Sequence, residues 1–254
     1  KQYPLDILGI ALTGSINYAS KENIEKALNG AKAPSASQES ISHTDDIKLP
    51  ANFNLYSKNQ KVQFYLHYLG FDIKTFSNDK IVNGIQFHKG DPLLDGDLGF
   101  QSGAALLIVQ AYGNFNKKTV NGKPVEITGV DLSPETVDFF VSISNEKSEL
   151  KRFIEEEWKP EEPVIDQKKY KNGYVPKTAF VKVYGDQYLL KEDAVAWAML
   201  VNGAINYNKT ETDKTKKFDV NTLKITMGYR DYATQVYVEL KEQLGRGNQA
   251  ANPI

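Results

Sequence analysis

The side chains best suited to chemistry lie near the C-terminal end, where Tyr229, Arg230 and Asp231 follow Gly228, and Gln235 comes shortly after. A guanidinium stays charged and presents a fork of donors that suits paired oxygen atoms. On spacing alone, however, the favoured interpretation of Arg230 is an exposed arginine that pairs with Asp231 or another acid and contributes little. The predicted helices and strands on either side of this group therefore decide whether it forms a site.

Strands and helices are both predicted around this group. Residues 180–184 suggest a strand, and residues 223–227 alternate strictly between apolar and polar types, as a half-buried strand does. Apolar residues at i, i+3, i+4 and i+7 spacing predict two amphipathic helices, whose stripes are Ala194, Trp197, Ala198, Val201 and Ile205, then Ala233, Val236, Tyr237, Leu240 and Leu244. The predicted fold class is α+β.

In this order, residues 166–254 resemble the D-alanyl-D-alanine carboxypeptidase family of zinc peptidases. The family reads Y-L, D-A-A, a helix with M and A, a strand ending in S-G-Y-R-S, and Y-x-x-Q. Met227 and Asp231 replace its two serines. The matching residues are Tyr188, Leu189, Asp193, Ala194, Met199, Ala204, Gly228, Tyr229, Arg230 and Gln235.

The resemblance implies roles for three residues. Arg230 is expected to hold the substrate or the oxyanion of the tetrahedral intermediate, as the catalytic residue of this chain. Gln235 is expected to bond the terminal carboxylate or backbone of a peptide, and Tyr229 to bind substrate beside it. We expect this segment to be the N-terminal part of a peptidase domain.

The resemblance also implies zinc as cofactor, but this chain supplies no ligands for it. The family places its S-x-H and H-x-H ligands after a stretch like residues 247–253, where this sequence stops. His43, His67 and His88 lie upstream without metal-ligand spacing. A zinc site needs about three protein ligands, so we expect the metal-binding half beyond Ile254. A cleaved chain and a catalytically dead fold remain open.

A second resemblance lies in the middle of the chain. Residues 62–71 (VQFYLHYLGF), where Gly70 is expected to cap a helix, are followed by residues 95–102 (DGDLGFQS), then by Ala105, Leu106 and Gln110. This pattern resembles the small three-helix peptidoglycan-binding domain, apart from a long insert between Phe71 and Asp95. Asp95 and Gly96, which form a tight turn, are the candidate binding residues. The alternative is a bundle that serves only as a spacer.

The predicted organisation is multidomain. Residues 1–45 read as short helices and a linker, 46–114 as the peptidoglycan-binding-like domain, 115–165 as a connector, and 166–254 as the truncated peptidase-like domain. Within the connector, Asn121-Gly122 predicts a β-hairpin over residues 119–125. Ser133 and Pro134 predict a helix start, and a helical apolar stripe continues at Leu150, Phe153, Ile154 and Trp158.

Composition excludes several functions. The 254 residues carry 31 basic and 32 acidic side chains, a net charge of −1, which gives no general drive toward nucleic acid or anionic membrane. The absence of cysteine excludes disulfides and thiolate zinc sites. No phosphate-binding glycine loop and no run long enough to span a membrane occurs in the sequence.

The sequence therefore predicts an extracytoplasmic bacterial or phage protein of the periplasm, cell wall or phage particle. Its partner would be peptidoglycan, and its reaction the zinc-dependent hydrolysis of amide bonds in stem peptides. The alternative is a non-catalytic structural or adaptor component of a phage tail or contractile injection assembly, in contact with other subunits.

Overall fold

The computed structural model describes residues 47–133, 135–158, 177–226 and 228. In this part of the chain the α-helices are α1 (Lys58–Tyr68), α2 (Phe100–Phe115), α3 (Thr136–Ser142), α4 (Lys147–Arg152) and α5 (Lys191–Thr210). The short helical turns are Phe53–Leu55, Lys177–Ala179, Lys214–Lys216 and Val220–Leu223, with a π-helical turn, Phe153–Glu157, directly after α4. Together with the strands, these helices confirm an α+β fold.

The strands of the described residues form three separate antiparallel hairpins. Their bounds are β1 (Lys80–Val82) with β2 (Ile85–Phe87), β3 (Thr119–Val120) with β4 (Lys123–Pro124), and β5 (Phe180–Tyr184) with β6 (Gln187–Leu190). The predicted hairpin at Asn121-Gly122 is confirmed, with φ of 51° and 75° at the two turn residues. An Asn-Gly pair also turns β1 into β2, where Asn83 and Gly84 have φ of 51° and 78°.

Helix α2 is the centre of the structure. Its sequence is apolar on nearly every side, and 13 of its 16 residues are buried, as expected for a helix covered all round. It packs mainly on α5 and also on β5 and α1. Gly103 allows the close approach of β5, because a Cβ there would lie 2.2 Å from the carbonyl oxygen of Val183.

One continuous core joins the predicted segments. Its buried side chains run from Val62 on α1, through α2, to Trp197 on α5 and Ile225 beyond it. Residues on both sides of position 114 therefore share a core. A smaller cluster fills the insert and contains Tyr56, Ile73, Phe76, Ile85, Phe87 and Leu94.

Several sequence predictions need correction. The strand predicted at residues 223–227 is wrong in its described part, because Val220–Leu223 is a 3-10 turn and residues 224–226 belong to no strand. The helix predicted from Ser133 begins at Thr136. The stripe through Trp158 ends as an α-helix at Arg152 and continues as the π turn. The predicted three-helix segment contains two α-helices, one 3-10 turn and the β1–β2 hairpin among its described residues.

Other predictions are confirmed. Residues 180–184 form β5, and the stripe from Ala194 to Ile205 lies on α5. Gly70 ends α1 with φ of 98°, and the Phe71 N–H bonds back to the Leu66 carbonyl at 3.1 Å, which is the geometry expected of a glycine C-cap.

Candidate functional site

The candidate peptidase region is built on the β5–β6 hairpin and the N-terminal turn of α5. Helix α5 follows β6 without a loop, and Leu190 is at once the last residue of β6 and the N-cap of α5. Aromatic side chains fix the junction, because Tyr184 stacks on Trp197 with ring centroids 5.5 Å apart. Phe100 of α2 lies edge-on to Tyr184 at 5.7 Å, so the hairpin and both helices form one unit.

The segment from Leu223 to Gly228 is bound to this unit by side chains. Trp197 Nε1 donates to the Leu223 carbonyl at 2.8 Å, and the Tyr184 hydroxyl donates to the Ile225 carbonyl at 2.7 Å. The Gly228 N–H donates to Gln187 Oε1 at 2.8 Å. Side chains thus take the place of the strand partner that the alternating sequence predicted.

Gly228 lies directly against the backbone of β6. A Cβ at this position would be 2.5 Å from the Tyr188 carbonyl oxygen and 3.0 Å from the Tyr188 nitrogen, so only glycine fits here without displacement. This contact holds the Gly228 backbone against the hairpin.

Asp193 is a buried acid in the first turn of α5, with 4% of its surface exposed. Burial raises the pKa of its carboxyl to about 6, with a further contribution from the neighbouring charge of Glu192. No hydrogen bond is among the causes of this shift. A largely buried acid whose pKa is raised by burial is a candidate for a functional role.

Sequence reasoning did not select Asp193 as a site residue, although it lies in the D-A-A position of the resemblance. The available signal was an acid directly before the apolar stripe that begins at Ala194. Acids are common in the first turn of a helix because the dipole favours them there, so the residue type alone did not distinguish it.

The three residues to which the resemblance gives a role in catalysis or substrate binding, Tyr229, Arg230 and Gln235, lie outside the described residues. Their roles remain predictions. So does the second predicted helix, at residues 233–244.

Asp95 and Gly96, the other candidate binding residues, lie in a loop fastened to α1. Gln63 Nε2 donates to Asp95 Oδ1 at 2.9 Å, and Gln63 Oε1 accepts from the Gly96 N–H at 2.9 Å. Asp95 Oδ1 also accepts from the Asp97 N–H at 3.0 Å, and Asn59 Nδ2 donates to the Gly96 carbonyl at 2.8 Å. Gly96 has φ of 80°, the left-handed conformation that favours glycine.

Gln60 completes this attachment from inside the core, where it is fully buried. Its amide nitrogen donates to the Leu94 carbonyl at 2.9 Å, and its oxygen accepts from the Ser57 N–H at 2.9 Å. The turn predicted at Asp95-Gly96 is confirmed. Both residues make bonds that shape the loop, and their binding of a substrate stays a prediction.

The described residues do not fit a zinc site. No three of their His, Asp and Glu side chains form a group that could hold a metal ion. His67 is exposed on α1, and His88 lies at the surface with its Nδ1 3.3 Å from Asp79 Oδ2. His43 lies outside the described residues. We therefore assign no catalytic step to zinc.

Among the helices of the described residues, none has both the length and the apolar character needed to cross a membrane. Comparisons of the chain with protein-family models, with curated proteins and with solved structures found no match. The two family resemblances accordingly rest on the sequence patterns that define them.

Proposed function

We propose that this protein acts on peptidoglycan outside the cytoplasm. In this proposal the region of α1, α2 and the Asp95-Gly96 loop binds the cell wall, and the region from β5 onward belongs to a peptidase of the zinc-dependent D-alanyl-D-alanine carboxypeptidase class. The reaction is hydrolysis of an amide bond in a stem peptide.

The close contact between Gly228 and the backbone of β6 is the observation that best supports the proposal. Gly-Tyr-Arg is the most specific part of the family pattern, and its glycine is held at 2.8 Å by Gln187 against a backbone that excludes any larger residue. The same β6 strand leads directly into α5 and the buried Asp193. Because the backbone contact requires glycine at this position, the Gly-Tyr-Arg match has a structural reason and is not a chance tripeptide.

The chemistry assigned to this chain is electrostatic. In the proposal, Arg230 donates hydrogen bonds to the negative charge that develops on the carbonyl oxygen as the amide is attacked. Gln235 and Tyr229 hold the peptide on either side of that bond. Arginine suits this role because its guanidinium remains protonated and donates through two parallel N–H groups.

The test uses the natural polypeptide and two readouts. Co-sedimentation with purified sacculi measures wall binding, and mass spectrometry of released products measures hydrolysis. We expect Arg230→Gln to lower kcat/KM about 10²–10³-fold, the usual cost of losing an oxyanion donor, with sedimentation unchanged. Arg246→Gln, which lies outside the pattern, is the matched control.

Two results would contradict the proposal. Full hydrolysis by Arg230→Gln would remove the catalytic role of this arginine. Sedimentation with sacculi without released products from the unaltered protein would favour the alternative, a non-catalytic component of a phage tail or contractile injection assembly.

A further inference from the structure

A cavity of about 610 Å³ opens where α2 ends, between the loop to β3 and the α4 helix with its π turn. Apart from Tyr112 of α2, its lining belongs to the connector, residues 115–165, for which the sequence shows no family resemblance. Its volume falls within the range of small-ligand sites. The side chains that matter for its chemistry are Tyr112, Lys117, Lys118, Glu146, Glu149 and Arg152.

The floor of the cavity is a closed polar network. The Tyr112 hydroxyl donates to Glu146 Oε2, and Lys118 Nζ lies 2.7 Å from Glu146 Oε1 and 2.6 Å from Oε2. Desolvation and the bond to Glu146 raise the pKa of Tyr112 far above its ordinary value, so the hydroxyl is a donor in this network. This network connects α2 to the start of α4. It also pairs the Glu146 carboxylate with Lys118, so Glu146 has no charge left unpaired for a ligand.

The rim of the cavity presents charges of both signs. Lys117 and Glu149 are exposed, and in the described part of the chain neither belongs to an ion pair. Arg152 lies beside them with its Nε 2.8 Å from Glu157 Oε1. A ligand that carries one ammonium and one carboxylate group finds an opposite charge for each.

The lining disfavours a sugar ligand. Carbohydrate rings pack on exposed aromatic faces, but the aromatic residue of this lining, Tyr112, is only 4% exposed and its hydroxyl is already bonded. Peptidoglycan offers two chemistries: a glycan of acetylated sugars, and a stem peptide with free carboxylates and a free amino group. The mixed charges of the rim match the second.

We infer that this cavity binds a short peptide bearing both ammonium and carboxylate groups. The identity of that peptide as a peptidoglycan stem peptide rests on the proposed function. The cavity then adds a second point of wall recognition, in the connector, that is selective for the peptide part of the polymer.

The experiment titrates the natural polypeptide with a synthetic tetrapeptide, L-Ala-D-Glu-L-Lys-D-Ala, and separately with an N-acetylglucosamine trimer. Calorimetry gives the affinity, and NMR shift changes at Lys118 and Thr119 locate the site. We expect the tetrapeptide to bind and the trimer to leave these signals unmoved. Lys117→Gln and Glu149→Gln should each weaken tetrapeptide binding about tenfold, the scale of one charged hydrogen bond.

Matched controls are Lys214→Gln and Glu156→Gln, which remove exposed charges that do not line the cavity. Equal thermal midpoints for all four variants show that folding is intact. Capping the amino terminus and amidating the free carboxylates of the tetrapeptide should weaken binding as the rim variants do.

The outcomes separate this inference from the proposed function. The inference is overturned if Lys117→Gln and Glu149→Gln leave tetrapeptide affinity unchanged, or if the trimer binds at the cavity. Sacculus sedimentation and hydrolysis test the proposed function independently of either result. Tetrapeptide binding at the cavity without sacculus sedimentation supports a charged-peptide site and overturns its assignment to the cell wall.

Discussion

The Asp95-Gly96 loop and the segment from Leu223 to Gly228 are attached to their neighbours in the same way, by side chains that bond to backbone. At the loop, Gln60 and Gln63 of α1 use both ends of their amides. At the second segment, Gln187 and two aromatic residues hold the backbone, whereas no hydrogen bond contributes to the pKa of the Asp193 carboxyl on α5.

The two regions differ in whether their polar groups still have hydrogen-bonding capacity for a ligand. A buried polar group that is fully bonded stabilises the fold and has little capacity for substrate. An acid whose pKa is raised by burial carries its charge at a cost to the fold, which is typical of a functional position. Of the two candidate regions, the second therefore has the stronger structural sign of function.

The largest expected loss of stability comes from adding a methyl group at Gly228. Gly228→Ala forces a Cβ against the Tyr188 backbone, and overpacking of this kind costs about 2–3 kcal/mol in the free energy of unfolding. Gly96→Ala is the comparison, because its Cβ would meet only ordinary contacts at 3.5 Å and 3.7 Å, leaving about 1 kcal/mol from its left-handed backbone. Urea unfolding measures both, and equal losses would show that the two glycines serve the same purpose.

A smaller effect is expected at the loop. Gln60→Leu removes a buried amide and takes away its bonds to the Leu94 carbonyl, the Ser57 N–H and the Asn83 side-chain amide, at a cost of about 2 kcal/mol. Gln86→Leu is the control, because the Gln86 side chain is exposed on β2 and, among the described residues, bonds only to the adjacent Phe87 carbonyl. Urea denaturation of both variants decides the point, and a neutral Gln60→Leu would mean that the loop does not depend on α1.

The smallest effect, of opposite sign, is expected at Asp193. Its folded pKa of about 6 lies above the ordinary 3.8, so the folded state holds this proton more tightly than the unfolded state. Its contribution to stability is complete below pH 4 and is lost as the pH rises through 6. Asp193→Asn should therefore be more stable than the unaltered protein at pH 7, by about 1 kcal/mol once solvent screening is allowed for.

Thermal unfolding between pH 4 and pH 7 tests this expectation. The stability difference between Asp193→Asn and the unaltered protein should grow as the pH rises, whereas Asp186→Asn, whose side chain is 97% exposed, should show no such trend. Parallel curves for Asp193→Asn and the unaltered protein would mean that the carboxyl is already partnered, and the contrast between the two regions would fail.

The sequence predicted local structure well wherever local chemistry determines it. The Asn121-Gly122 turn, the Gly70 cap, strand β5 and helix α5 all follow from residues that lie within a few positions of one another. The same dipeptide at Asn83-Gly84 was missed, because the insert was treated as a departure from a family pattern rather than interpreted by its own turn chemistry.

Long-range contacts account for the errors. The alternation at residues 223–227 correctly predicts that Ile225 is buried between exposed Lys224 and Thr226. It does not show that Tyr184 and Trp197, from distant parts of the chain, take the carbonyls a neighbouring strand would use. The Asp95-Gly96 turn was predictable, but its attachment to glutamines more than thirty positions earlier was not.

The complete burial of α2 has a consequence for synthesis on the ribosome. Its main packing partner, α5, is translated 75 or more residues after α2 ends. Until α5 emerges, the apolar face of α2 that α5 will cover is exposed to water and to other nascent chains. Such a chain is a natural client for chaperones that bind exposed apolar segments during translation.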